Sequence, residues 1–555
     1  MVNTTAYNVK LVASKTTTTT VPDKEQLGEL TVYKEGQVLA GADVSENGTV
    51  FQYENRRQKG AVYNVYAGED IISAYGAKIY SKGDLVKENL STDENGACIL
   101  KNLHLGTYVV KEMQAPENFY NAGEEKTVTL SYAGQNVEVV FSDVIFTNDR
   151  QKADVSVVKK DKDTENPLSG GVFALYAGSD IANADGNVVV KKGTLIEKLT
   201  TGADGKAAFN ADLPIGFSYV VKEEQAPQGY LRNSKDVYTF KFSYTSDSEP
   251  KVSFTHTFVN ERVKAKISLE KRDAETKQAV AQGDATLEKA VYGLYARNDI
   301  VHPDGITGVI YKAGEQVATL TTNKNGQASV DGLYLGDYYV KEISPSVGYL
   351  ADETEHDLVC NYEGDLVAEV KRDCTSLEQV MKQPFQIIKA ANNGKTDADL
   401  LKGAGFTAYL ESSLTKKADG NYEFASATPV VIGENGATEM FTDEKGYACS
   451  IALPYGTYIV RETTTPHNYT PVDDFTVRIT ENNPNQPQTW RVLLDDEFEA
   501  KLKIIKQDDE TKKPVLQKKQ SLRFMTWIIR SMWSRLQPIR QRLSTNLILQ
   551  MSRDI

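Results

Sequence analysis

Cysteine is scarce in this chain, with four residues in 555: Cys98, Cys360, Cys374 and Cys449. So few thiols exclude a disulfide framework, and without a CxxC spacing they argue against a structural zinc site. A Cys360–Cys374 pair stays open, while Cys98 and Cys449, which follow similar turns at matching strand positions, read as core residues. Five histidines stand singly and offer no linear metal or triad cluster. Tryptophan occurs three times against 29 tyrosines, and tyrosine suits the half-buried faces of β-sheets. No run reaches the roughly 18 apolar residues that a membrane span needs. Met1 to Lys10 lack the basic-then-apolar layout of a secretory signal, so the chain reads either as cytosolic or as a piece of something longer, and its repeats favour a piece. GxSxG, HExxH and P-loop signatures are absent, which reads as a non-enzyme that needs no cofactor or metal. The formal net charge of −13 argues against nucleic acid or an anionic membrane as a partner.

What is present is one unit written four times. At roughly 100–200 residues per domain the length suggests three to five domains. A tyrosine-rich strand recurs at Gly60–Tyr66, Gly170–Tyr176, Lys289–Tyr295 and Gly403–Tyr409. A polar turn follows each: Asp93–Gly96, Ala203–Gly205, Asn323–Gly326 and Asp443–Gly446. Such Asn/Asp/Gly turns favour hairpins because these residues tolerate positive φ. Next comes a strand of the form Leu-x-x-Gly-x-Tyr-x-Val-Lys/Arg-Glu, ending at Glu112, Glu342 and Glu462, with one extra residue in the copy ending at Glu223. Short alternating strands in units of this size predict an all-β chain of tandem immunoglobulin-like sandwiches. The expected divisions are 26–150, 151–262, 263–383 and 384–498, preceded by a linker or domain remnant at 1–25 and followed by the start of a fifth unit at 499–518.

Each unit's first strand alternates apolar residues and then places a lysine on the apolar side: Lys34, Lys159, Lys271 and Lys389. Strand side chains alternate between faces, so these lysines are expected to point into the sandwich. A buried ammonium is costly unless it is paired or neutralised, and the four glutamates fall in line with apolar residues on their own strands. Asn148 and Asn260 end the last strands of units one and two, each 11 residues before the next lysine.

The segments Lys159-x-Asp161-x-x-Thr164, Lys271-x-Asp273-x-x-Thr276 and Ala226-Pro-Gln-Gly-Tyr230 carry a resemblance. Across residues 26–518 the chain resembles the collagen-adhesin B-type (prealbumin-like) domains of Gram-positive surface adhesins and SpaA-type pilins. The resemblance implies an internal Lys–Asn or Lys–Asp isopeptide bond, with the glutamate as its proton shuttle. Residue by residue it implies Lys34, Glu112 and Asn148; Lys159, Glu223 and Asn260; Lys271 and Glu342; and Lys389, Glu462 and Asp495. Unit three has no asparagine near its end, and Gln383 is the nearest amide. The physics agrees with the chemistry: an apolar core lowers a lysine pKa and raises a glutamate pKa, and proximity assists condensation.

The implied function is a structural stalk or pilin-like segment of a cell-wall-anchored surface adhesin. Peptidoglycan attachment would run through a sorting signal not present in this sequence. A second reading is a module that binds host glycan or extracellular matrix protein through the Gly36–Lys59, Asp299–Thr307 or Leu410–Thr428 loops. A third is that the modules accompany an enzyme domain outside this sequence. After Lys518 the composition changes: residues 518–555 lack Gly and Tyr yet hold Trp527 and Trp533. They carry eight Lys or Arg against one acid, a net +7, so the preceding 517 residues carry −20. Reread one base earlier, permitted codons restore an aromatic strand and a turn like Phe441–Tyr447, so residues 519–555 read as an out-of-frame tail that does not fold.

Overall fold

The computed structural model describes residues 5–499, 505 and 507–514. Among these, helix is confined to two three-residue 3-10 turns, Glu411–Ser413 and Glu434–Gly436, and strands build everything else that is regular. No helix of the described residues is long and apolar enough to cross a membrane.

Unit two shows the plan. The strand Lys152–Asp161 buries Val155, Val157, Lys159 and Asp161 on one face and leaves Ser156, Val158 and Lys160 half-buried on the other. It lies between Lys206–Phe209 (antiparallel) and Lys251–Asn260 (parallel) in a three-stranded sheet. A four-stranded sheet, Leu195–Thr200, Val172–Ala177, Ser218–Gln225 and Val237–Lys241 in spatial order, closes the other side. Val155, Val157, Phe173, Leu175, Tyr219, Val221 and Phe258 fill the space between the sheets. Units three and four repeat both sheets in the same strand order.

The polar turn has a role at the lysine strand. The backbone N–H of Lys159 donates to Gly205 O at 2.7 Å, and Lys271 and Lys389 donate likewise to Gly326 and Gly446. A Cβ on Gly205 would lie 2.5 Å from the Lys159 carbonyl oxygen, at a φ of +69°. Close approach and positive φ together therefore require glycine there.

Unit one departs from the plan in one element. Its lysine strand runs on to Ser45 and turns back through Gly48–Arg57, so the Gly36–Lys59 insertion is mainly a long hairpin. Leu39 and Phe51 of this hairpin belong to the apolar core of unit two, with Ala42 and Tyr53 packed beside them. Thr49 Oγ1 donates to Leu195 O at 2.6 Å, and Arg56 forks onto Asp185 at 2.7 and 3.0 Å.

The other junctions are also built. Ala115 N donates to Asp247 Oδ2 and Ala226 N to Asp365 Oδ2, so one carboxylate device joins units one to two and two to three. Arg150 lies over the Tyr53 ring and Arg262 over the Tyr334 ring, each also reaching backbone carbonyls of the following unit. Between units three and four, Asp284 accepts from Thr457 N, while Ala285, Leu287, Tyr349 and Val380 pack with Tyr455.

All four thiols are free, so Cys360 and Cys374 do not pair. Both contribute to the apolar core of unit three. Cys98 faces the core opposite Val32, whereas Ala448 takes the corresponding place opposite Ile387. Cys449 is one residue further on and turns away from it, a one-residue offset that reverses the face. Lys506 and residues 515–555 lie outside the described residues, and the reading of an out-of-frame tail with them. Just before, Asp508 Oδ1 accepts from Thr511 N at 2.8 Å.

Candidate functional site: a lysine, a glutamate and a third group

In each unit the lysine strand pairs in parallel with the last strand, and the lysine stands two residues before the partner of the third group. Lys34 lies opposite Phe146 and Gly36 opposite Asn148; Lys159 lies opposite Phe258 and Asp161 opposite Asn260. Lys389 lies opposite Leu493 and Ala391 opposite Asp495. The glutamates come from the other sheet, where Glu112, Glu223, Glu342 and Glu462 pair with Tyr63, Phe173, Tyr292 and Phe406. Lysine and glutamate therefore meet across the core.

All four lysine side chains are fully buried. Lys34 Nζ lies 2.8 Å from Glu112 Oε1, Lys159 3.3 Å from Glu223, Lys271 3.5 Å from Glu342 and Lys389 2.8 Å from Glu462. Asn260 Nδ2 donates to Glu223 Oε1 at 2.8 Å, which ties the amide to the glutamate. Asn148 is buried at the same register in unit one. Asp495, also buried, contacts Lys389 directly.

Burial works against charge here. Desolvation lowers the Lys34 pKa against the pull of Glu112, and takes Lys159 and Lys271 down to about 8. The same cause raises Glu342 and pushes Asp495 up to about 6. A neutral amine next to a protonated carboxyl and an amide or acid is a set that can condense, provided the leaving group receives a proton.

A pH test follows from Lys159. In an Asn260→Ala chain the amine stays free, with its folded pKa below the ordinary lysine value of about 10.4. The unfolded state then binds more protons between about pH 8 and about pH 10, so stability rises with pH across that window. We expect the melting temperature of Asn260→Ala to climb from pH 8 to pH 10 relative to Asn260→Ala/Lys159→Met. A pH-independent gap between the two variants would contradict the lowered pKa.

The Asp and Thr of the Lys-x-Asp-x-x-Thr segments serve the strand end. Asp161 Oδ1 accepts from Asp163 N and Thr164 N, and its Oδ2 accepts from Tyr230 OH at 2.5 Å. Asp273 makes the same turn and accepts from Tyr349 OH at 3.0 Å. Unit one replaces the pair with Gly36 and Phe119, and a Cβ on Gly36 would run into the Phe119 ring.

Two readings from the sequence change. Gln383 does not approach Lys271: it pairs with Leu453 in unit four and donates to Gln486 O. The position equivalent to Asn260 in unit three is Glu378, opposite Asp273, buried and in contact with Lys271. Its signal is the spacing, because Glu378 precedes Lys389 by the same 11 residues, although it is an acid and not an amide. The histidines also do not all stand alone in space. His302 lies buried with Asp161 and Asp304 where units two and three meet, Nδ1 at 3.2 Å from Asp304. Asp304 Oδ2 also accepts from Asn166 and Thr164 of unit two, so these groups form part of the junction.

The residues 50–144, 153–257, 265–373 and 384–491 each match the model of the SpaA prealbumin-like fold domain. A collagen adhesin of Staphylococcus aureus is 29% identical over 201 residues, which is 35% of this chain and 15% of that protein. The chain thus spans a small fraction of that relative. Among solved structures, the Bacillus anthracis TIE protein aligns with 84% of this chain and 73% of its own at 20% identity and a TM-score of 0.41. BcpA, the major pilin subunit of Bacillus cereus, aligns with 64% of this chain and all of its own at 15% identity and a TM-score of 0.24.

Proposed function

Because this chain belongs to the SpaA prealbumin-like domain family, we propose that it is a structural, pilin-like segment of a Gram-positive surface adhesin. Its units, divided at 26–150, 151–262, 263–383 and 384–498, are stiffened by isopeptide bonds that they form themselves. The observation that carries this reading is that every unit buries a lysine on its first strand beside a third polar group on its last strand, with a glutamate facing the lysine from the other sheet. In units one and two the lysine amine attacks Cγ of Asn148 or Asn260, and ammonia leaves. In unit four it attacks Cγ of Asp495, and water leaves. Glu112, Glu223 and Glu462 carry the proton from the amine to the leaving group. Anchoring to the cell wall would be supplied by sequence beyond these units.

Intact-mass measurement on the purified chain tests it. The expected mass is below that of the plain sequence by two ammonias and one water for units one, two and four. A mass equal to the sequence would end the proposal.

A second reading, binding of matrix protein or host glycan, draws on the collagen adhesin relative. Two of its three candidate loops are occupied, since the Gly36–Lys59 hairpin covers unit two and Asp299–Thr307 sits in the next junction. The Leu410–Thr428 loop is largely exposed and is the surface left for that role.

A further inference from the structure

We propose that unit three closes its own cross-link, between Lys271 and Glu378, with glutamate in place of the usual amide or aspartate. The inference rests on the cross-linking function proposed above and extends it to a unit whose acceptor is one methylene longer.

Register puts Glu378 opposite Asp273, where Asn260 stands opposite Asp161, and both Lys271 and Glu378 have fully buried side chains. A longer acceptor needs extra room, and the surrounding residues supply it. The residue opposite the lysine is Phe146 in unit one, Phe258 in unit two and Leu493 in unit four, but Ser376 in unit three. Facing it from the other sheet is Tyr292; unit one also has a tyrosine there, Tyr63, while units two and four have Phe173 and Phe406. The small residue opens space beside the lysine, and the two hydroxyls meet the carboxyl that fills it. Ser376 Oγ donates to Glu378 Oε1 at 3.1 Å, and Tyr292 OH donates to the same oxygen. Oε2 is the oxygen in contact with Lys271 Nζ.

This divides the carboxyl into an oxygen that is held and an oxygen that can leave. A proton passes from the Lys271 ammonium to Oε2, which leaves a neutral amine and a neutral acid. Nζ attacks Cδ, and the charge that develops on Oε1 is met by Ser376 and Tyr292. Glu342, 3.5 Å from Nζ, takes the second amine proton and delivers it to Oε2. The C–N bond forms, the Cδ–Oε2 bond breaks and one water departs, with no oxidant or further reactant. In the amide product Oε1 is the carbonyl oxygen and keeps both donors.

Peptide mass spectrometry of the full chain tests this. We expect a cross-linked peptide joining Lys271 to Glu378 and lighter by one water, together with the Lys159–Asn260 peptide lighter by one ammonia. Linear unit-three peptides beside a linked Lys159–Asn260 would overturn the inference and leave the cross-linking function standing. Linear peptides in every unit would remove both. Glu378→Gln gives a conservative check, because loss of ammonia from the glutamine forms the same amide. Its final intact mass should equal that of the unaltered chain, whereas two chains unlinked in unit three would differ by the substitution itself.

Discussion

Replacing Lys159 with methionine should lower the stability of unit two by about 4 kcal/mol and restore one ammonia to the chain's mass. Methionine preserves most of the side-chain volume in a fully buried site, so little of the loss comes from a cavity. The estimate is by analogy with a disulfide that closes a loop of similar length, where the tie acts mainly by restricting the unfolded chain. A simple buried ion pair would respond with a similar number, since removing one partner strands the other charge at a cost of roughly 3–5 kcal/mol. The double variant Lys159→Met/Glu223→Gln separates the two cases. An ion pair replaced at both ends by neutral groups should recover most of its stability, whereas a lost covalent tie is not recovered. Hydrogen exchange in the Val172–Ala177 and Ser218–Gln225 strands reports on unit two alone, and recovery in the double variant would count against the bond.

The second large effect crosses between units. Phe51→Ala, a substitution in unit one, should cost unit two about 3 kcal/mol, the lower end for truncating a core phenylalanine. Phe51 is 9% exposed and packs with Leu39 into the core of Val155, Phe173 and Ile196. Exchange should accelerate in unit two's sheets while the Gly106–Gln114 strand of unit one keeps its protection. Faster exchange confined to unit one would show that the hairpin does not support its neighbour.

Periodicity explains what could be read in advance. In Val155-Val157-Lys159 the two-residue alternation fixes the face of the lysine, and the same logic places Glu223 on its strand, so the polar groups that meet in the core were legible one strand at a time. Residue type hides Glu378, because an acid one methylene longer holds the position that asparagine holds in units one and two. Cys449 lies off the core because one residue of offset reverses a face. The junctions were not legible at all. Leu39 and Phe51 are apolar residues of the Gly36–Lys59 segment, but nothing local to them says that the next unit covers them. Likewise nothing local to His302 places it between Asp161 and Asp304.

The parallel pairing of first and last strands has a consequence for how a closed chain would bear tension. The third group stands two positions beyond the lysine on the neighbouring strand, so each proposed bond would join the two strands near the end where the chain leaves the unit. Pull then runs from Asn148 to Lys159, crosses to Asn260, continues to Lys271, crosses to Glu378 and continues to Lys389. Every taut stretch of backbone is the same 11 residues, which can span at most roughly 36–40 Å when fully drawn out. The remaining strands of each sandwich hang outside this path. Such a chain has almost no contour to release, so even a unit whose core melted would hold its length.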